Sequence, residues 1–584
     1  MQSFLQYRKY RLAIEQQLRR DQEKAITWLD NASQPSHTEC SSTHEASDAI
    51  QFPLTSVPSA TSEDGVCNEN LGQDQTDNLA KTGTRYTART ALGHALAGIH
   101  ARDRTTHEGK GSKVFVVNWD GEHDPLNPRN YSKTSRIWMT LLVSGIAFVV
   151  TVASSIDTAI LPQASAKFGV SDVVESLAAT GMYLIGFGLG AIFVGPFSET
   201  FGRNVVYVVT LVMFMIFIMA SGLAPNIGAQ IAFRFLAGFF GAAPLTCAGG
   251  SISDMWDSLE RSYGFPIYAI PAFSGPVLGP VMGSYIGNGR IGSWRWTEWI
   301  TLILAGLVLC VIVLFQKETY PPLLLKWKAQ HLRRITGDDR FQAELEITKT
   351  TLWTRLKISL KRPFQLMSEP IVMLMALYLT VIYIVLFTFL GGYTYIFTET
   401  YEISQGLTNV IFVGMLIGIL VAAPLVPFTY NRTKEDMKLH KSENGSHVNP
   451  EIRLWFAMLG APAIPISLFW MGWSAYPSVS IWSPIIASAL FGYGLICIFM
   501  SAYMYIIDSY EIYAASALTF VTITRYVAAG GMTVVSLPFY RNVGVHWTLS
   551  IMGCISLFLT PIPYILYKYG YVVRRRSNYA VSRI

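Results

Sequence analysis

Apolar residues in this chain do not alternate with polar ones at the period of a half-buried helix or strand. They gather into runs of about 20 residues, long enough as helices to cross a hydrocarbon layer of roughly 30 Å. The runs are Ile137–Ser155, Val173–Val194, Val205–Gly222, Ile227–Cys247, Pro266–Ile286 and Ile300–Phe315, then Pro370–Leu390, Leu407–Pro427, Leu454–Trp473, Ile481–Ile507, Ala515–Pro538 and Trp547–Leu566. Six runs, a charged break and six more make two matched halves, the layout of a transporter built from repeats. An all-α membrane protein is expected, with a six-helix bundle over 131–316, a central loop over 317–369, a second six-helix bundle over 370–567 and a basic tail over 568–584. Residues 1–130 are rich in Ser, Thr, Gln, Asn and Asp and show no sustained apolar period, so most of that stretch is expected to be disordered. Its first 30 residues read as a charged amphipathic helix in a solvated tail.

Composition agrees. The chain of 584 residues is 51% hydrophobic and 14% charged, where a soluble domain is nearer about 25% charged. The placement of charge says more than the net +6. The break carries Lys317, Lys326, Lys328, Arg333, Arg334, Arg340, Lys349, Arg355, Lys357, Lys361 and Arg362, and the tail Lys568, Arg574, Arg575, Arg576 and Arg583. The bridges on the other side hold only Lys167, Arg290, Arg295 and Arg541. By the positive-inside tendency both termini and the central loop are cytosolic. The sequons at Asn31, Asn130, Asn431 and Asn444 then face the cytosol and should stay unglycosylated. The six cysteines are scattered without a repeating spacing, so no disulfide framework or metal-ligand set follows. The start, MQSFLQYRKYRLAIEQQLRR, is too charged for the apolar core of a signal peptide.

The densest polar punctuation between two apolar runs is GPFSETFGRNVVY, residues 195–207. Gly195 and Gly202 allow close backbone approach. Glu199 and Arg203 are charges at a membrane edge, able to pair with each other, with helix ends or with a neighbouring helix. Gly195-x-x-x-Glu199-x-x-Gly202-Arg203 resembles the loop signature of the major facilitator superfamily, although Asn204 stands where the family usually has another basic residue. Further stretches are similar to the fungal branch of its drug:proton antiporters with twelve spans: RFLAGFFGAAPL in span four, SGPVLGPVMGSYI in span five, YIIDSYEIYAASALTFVTITR after span ten, and the terminal LPFYRNVGVHWTLSIMGCISLFLTPIPYILYKYG. DMW, WRWTEW, KETYPPLLL and RPFQLMSEPI agree as well. The resemblance covers roughly residues 115–575 and lies nearest the polyamine, multidrug and secondary-metabolite exporters. It implies the major facilitator fold, with two six-helix bundles rocking around a central site.

Within these motifs the chemistry narrows to a few side chains. Arg234 in span four costs about 3 kcal/mol at mid-depth on insertion scales unless it faces a polar cavity. It cannot deprotonate, so it is expected to hold a carboxylate or water whose protonation changes, and the resemblance also assigns it to proton coupling. Asp157, near the outer end of span one, is the first candidate for that carboxylate, and Glu175 at the start of span two a weaker one. Gly275, Gly279 and Gly283 recur every four residues and share one helix face, while Pro276 and Pro280 each delete a helix hydrogen bond. The resemblance makes this run an antiporter motif, placed at the interface of the halves. Asp508 and Arg525 match the family pattern around the turn into span eleven: Asp508 is expected at the cytosolic edge, Arg525 falls inside span eleven by count and needs a partner or water, and both are grouped with the turn at Glu199 and Arg203 as a cytosolic gate. Tyr183, Tyr378, Tyr383 and Tyr493 are candidates for a cavity that takes flat or cationic substrates.

The sequence has no P-loop, which disfavours ATP-driven pumping, no zinc-type His/Cys cluster and no nucleophile elbow. No enzyme activity, cofactor, metal or nucleic-acid partner is expected. The reading is a monomeric, multi-pass secondary active transporter of the plasma membrane, with a vacuolar address as the alternative. It exports a small organic molecule in exchange for protons. A proton-coupled nutrient importer on the same fold and a non-transporting membrane sensor are the rival readings.

Overall fold

The computed structural model describes residues 2–32, 99–104, 112–121, 123–287, 293–347, 352–403, 408, 410–439, 449–577 and 579–580. Arg290, Asn444 and residues 33–98 lie outside them.

Among the described residues, twelve helical segments are long and apolar enough to cross a membrane: span 1 (Lys133–Phe168), span 2 (Asp172–Phe201), span 3 (Arg203–Gly222), span 4 (Ile227–Met255), span 5 (Arg261–Ile286) and span 6 (Trp296–Phe315), then span 7 (Pro370–Tyr393), span 8 (Val413–Lys438), span 9 (Pro450–Ser474), span 10 (Trp482–Tyr510), span 11 (Ala514–Val543) and span 12 (Val545–Arg575). Local chemistry sets several starts. Ser132 caps span 1 by accepting from the Ser135 amide, and Asn226 caps span 4 by accepting from the Ala229 amide at 2.8 Å. Pro370 opens span 7, where a missing N–H costs nothing. Span 1 is not one regular helix. Its α-helix ends at Ala153, and a 3₁₀ turn follows over Ile156–Ile160. Span 2 carries a π-type turn over Leu177–Gly181, a form that often marks functional positions.

Burial sorts the helices. The most apolar window of span 6 is only 22% buried and that of span 3 only 39% buried. Their exposed Val205, Val209, Val212, Ile216, Ile303 and Leu307 are the faces that meet lipid. The most apolar window of span 1 is 83% buried, and span 1 packs against span 5, while span 7 packs against span 11. Spans 2 and 11, and spans 5 and 8, bring the two sets of six together. At the end holding the bridges 168–172, 223–226 and 544, the Ser176 hydroxyl donates to the Thr533 carbonyl at 3.2 Å, and Arg541 lies 3.6 Å from Asp172. The other end carries the chain's basic bridges and is called the basic end below.

The described residues within Arg8–Glu122 and Leu325–Ile347 form a second compact unit. Within it β1 (Ile99–Arg104) pairs antiparallel with β2 (Ser112–Val117), and β2 pairs in parallel with β3 (Phe341–Gln342) in the register Phe115 to Phe341. Its core joins Ile14 and Leu18 of the N-terminal helix to Phe115, Val117, Ala329, Leu332, Phe341 and Ala343. Lys328 pairs with Asp120 at 2.6 Å, and Arg333 reaches both carboxylate oxygens of Glu346 at 2.9 Å. Part of the stretch expected to lack structure is therefore ordered. The helix Gln2–Ala32 was anticipated, but its packing was not: its small apolar stripe finds partners more than 300 residues away in sequence, beyond what local composition shows.

Replacing Phe341 with Ala removes a large buried side chain from this unit, at a cost of about 3–5 kcal/mol. Amide hydrogen exchange over 112–117 and 325–347 should accelerate together. Unchanged protection there would mean that this core does not hold the unit.

Candidate functional site

Near the end opposite the basic one, six polar side chains gather inside the first six helices. Arg234 comes from span 4 and is fully buried. Its Nη2 forms an ion pair with Asp157 Oδ2 and another with Glu298 Oε1 at 2.8 Å, and its Nη1 donates to the Ala153 carbonyl at 3.0 Å. The Ser221 hydroxyl donates to Glu298 Oε1 at 2.7 Å, and Gln230 Nε2 donates to Glu175 Oε1 at 2.9 Å. Glu175 Oε2 and Glu298 Oε2 accept no hydrogen bond among the described residues. The two irregular turns noted above deliver this arrangement. The 3₁₀ turn of span 1 carries Asp157, and the π-type turn of span 2 begins two residues after Glu175.

Two buried carboxylates pair with one fixed cation, and a third, Glu175, is held by Gln230 of the same span as that cation. If all three are ionised, the cluster carries two more negative charges than it can neutralise, in a medium where uncompensated charge is costly. A bound proton would reduce that surplus. Sequence reasoning named Arg234, Asp157 and Glu175 but gave Glu298 no role. Glu298 was visible as the one acid in WRWTEW at the head of an apolar run, and only the packing of span 6 against spans 1 and 3 brings it to Arg234.

At the basic end, Gly202 adopts φ +95°, a conformation that favours glycine, and an added Cβ would press on the Glu318 carboxylate and Leu323. Glu318 accepts from the amides of Arg203 at 2.9 Å, Asn204 at 3.1 Å, Thr319 at 3.0 Å and Tyr320 at 3.0 Å. It thereby caps span 3. Burial pushes its carboxyl above the ordinary range, while those backbone donors pull it back. The Arg203 side chain pairs with Asp254 at 3.3 Å and donates to the Ser198 hydroxyl at 2.6 Å, and its carbonyl-side neighbour Asn204 donates to the Gln316 carbonyl at 3.1 Å. Arg203 thus takes Asp254 as its ion-pair partner, the acid of the DMW stretch. The Glu199 carbonyl accepts from Arg355 at 3.1 Å.

Asp508 lies at this end as well, without Arg525. It pairs with Arg261 at 2.6 Å and Arg453 at 2.7 Å, all three being largely buried. Arg453 also donates to the Ser262 hydroxyl at 2.5 Å and to the Ser258 carbonyl. Spans 9 and 10 of the second set are thereby tied to the start of span 5 in the first. This latch borders a cavity of about 1020 Å³ whose walls include Glu199, Arg203, Arg261, Asp508, Leu518 and Thr519. The expected grouping of Arg525 with the gate is corrected. Eleven residues beyond Ala514, about 16 Å along a helix, it is fully buried against rings of Tyr383, Phe499, Tyr503 and Tyr526.

The glycine face of span 5 also differs from expectation. An added Cβ at Gly275, Gly279 or Gly283 would run into Thr151, Ser155 or the Ile156 carbonyl of span 1, so this face packs inside the first bundle and not between bundles. Pro276 lies beside the other half, lining a small central void with Phe273, Tyr383 and Tyr526. Among the candidate tyrosines, Tyr383 is central. Tyr183 donates to the Val150 carbonyl at 2.8 Å and serves packing within the first bundle. Tyr378 is buried in span 7, and Tyr493 is half-buried in span 10. Neither lines the two cavities described here.

Asp508→Asn leaves Arg261 and Arg453 buried against a neutral amide, a change that costs about 3–5 kcal/mol. The detergent-solubilised variant should melt at a lower temperature, and a cysteine placed at Ser262 should be labelled faster. Unaltered melting and labelling would show that the latch carries no load.

The arrangement of two six-helix sets matches known proteins. The Major Facilitator Superfamily model matches residues 142–533. The MFS-type transporter kojT of Aspergillus flavus, and that of Aspergillus oryzae, is 53% identical over 80% of this chain and 82% of the relative. The citrinin biosynthesis cluster MFS transporter mrr1 of Monascus ruber is 34% identical over 82% of this chain and 96% of that one. The fold is shared with the proton:xylose symporter XylE bound to 6-bromo-6-deoxy-D-glucose, at 13% identity and a TM-score of 0.55 over 75% of this chain and 96% of that one. The chain is a twelve-span membrane transporter, not an enzyme, and belongs to the major facilitator superfamily.

Proposed function

We propose that this chain is a drug:proton antiporter that exports a small organic molecule, a secondary metabolite above all, by alternating access driven by inward proton movement. The observation that carries the proposal is the cluster of Arg234, Asp157, Glu298 and Glu175. It is buried within one bundle and stands apart from the large cavity at the basic end. A proton centre separated from the substrate path lets the two ligands compete through conformation, since each needs only to favour a different state. Proton binding on the cluster would reduce its surplus charge and loosen the tie between span 1 and spans 4 and 6. The latch of Arg261, Asp508 and Arg453 and the linked pair Arg203 and Asp254 are then the contacts remade when the basic end opens and closes.

The curated relatives support the substrate class: mrr1 is named for a citrinin biosynthesis cluster. The lysine- and arginine-rich bridges support cytosolic termini and a cavity that loads from the cytosol. The plasma membrane is the proposed address and the single chain the working unit.

Two measurements test this. In inverted vesicles, uptake of labelled citrinin, used as the probe, should stop when the pH gradient is collapsed. A rate indifferent to the gradient sinks the antiport reading. Arg234→Ala should abolish uptake with near-normal protein level and membrane location. Loss of the protein itself would make the cluster a structural tie.

A further inference from the structure

Arg525 is the buried cation that the proposed proton cycle leaves unused. Its Cζ lies 4.5 Å from the ring centroid of Tyr383, 4.8 Å from that of Tyr526, and 5.2 Å from those of Phe499 and Tyr503. All four rings belong to spans 7, 10 and 11 of the second bundle. Its Nε, Nη1 and Nη2 have no hydrogen-bond acceptor among the described residues, and no carboxylate there stands within ion-pair distance. Arg234 is paired with two acids, and Arg525 has aromatic faces alone.

Ring faces do not settle this charge. A desolvated cation–π contact is worth about 2 kcal/mol or more, whereas burying one ion costs several. The guanidinium carries five N–H donors in its own plane, and the rings offer them no lone pair in return. The site is left with a standing positive charge, unmet donors and flat apolar walls.

It is also placed where a transported molecule would pass. Tyr383 and Tyr526 line the small central void together with Phe273 of span 5. The Phe273 ring sits 4.1 Å from that of Phe499, so a span from the first bundle closes the cage from outside. Thr519 lines the large cavity at the basic end, and Arg525 is six residues farther along the same helix, about 9 Å.

We propose that Arg525 is the anion-binding group of the transport path, and that the substrate is a flat organic acid in its anionic form, carboxylate or enolate. The guanidinium takes the anionic oxygens in its plane, and Tyr383 and Tyr526 take the conjugated face. Parting of span 5 from span 10 uncovers the cage. This rests on the transport reading above and names its substrate class.

The test is equilibrium binding to the full chain in lipid nanodiscs at neutral pH, by calorimetry, with three isosteric probes: naphthoate, naphthylmethanol and naphthylmethylammonium. No pH gradient is involved, so a failure of antiport leaves this measurement unaffected. Naphthoate should bind about 30-fold or more tightly than the alcohol, the scale of losing one partner of a buried charge pair, and the ammonium should bind weakest. Arg525→Gln should erase the preference for naphthoate over the alcohol, and Arg525→Lys should keep part of it. Because the comparison is made between probes within each protein, a general loss of folding does not imitate the result. Equal or better binding of the ammonium, an undiminished preference in Arg525→Gln, or no binding of any probe to the unaltered chain overturns the proposal.

Discussion

A guanidinium enclosed by apolar helices must be answered by acids, carbonyls or a ligand, and in this chain that requirement organises the first bundle. Arg234 draws span 1 to span 4 through Asp157 and the Ala153 carbonyl, and span 6 to span 4 through Glu298. Ser221 extends the same set to span 3. Greasy surfaces alone do not fix such a geometry, since lipid tails are as apolar as the helices themselves. Directional polar contacts do, and breaking one leaves a charge stranded. The regular helix gives way on both sides of the cluster, in the 3₁₀ turn of span 1 and the π-type turn of span 2.

The two bundles handle charge differently. The first holds a crowded acid cluster around one arginine, close to the end away from the basic bridges. The second holds Arg525 among rings, about 16 Å along span 11. Between them, at the basic end, Asp508 is shared by Arg261 of the first half and Arg453 of the second. Contacts of this last kind are discrete, either made or broken, which is the property a two-state opening needs.

The spans were legible because apolar run length is a local quantity. Span 3 ends at Gly222 and span 6 at Phe315 as the pattern gives them, and span 7 opens on the same Pro370. Arg234 was legible as an expensive residue because its cost depends on where it lies in its own helix. Partners were less so. Asp254, Glu298 and Glu318 each appear as single acids at the edges of apolar runs, and nothing in their spacing names Arg203, Arg234 or the span 3 amides as their targets. Arg525 was grouped with Asp508 through the family pattern, although it falls inside span 11 by count. The rise of the helix carries it about 16 Å inward, past the gate and into the aromatic centre. The glycine face of span 5 was read correctly as a close-packing face, but periodicity states only that a face exists and leaves its neighbour open. The folding of the N-terminal helix with β2 and the central loop depends on contacts across hundreds of residues, which local composition does not encode.

Glu318 stands just after span 6, yet its carboxylate is spent on the amides that begin span 3. The stretch leaving the sixth helix is therefore stapled to its own half of the molecule before the chain sets out for the other. Whatever slack lets the halves move apart begins no earlier than Pro321, and the chain up to Tyr320 travels as part of the first half.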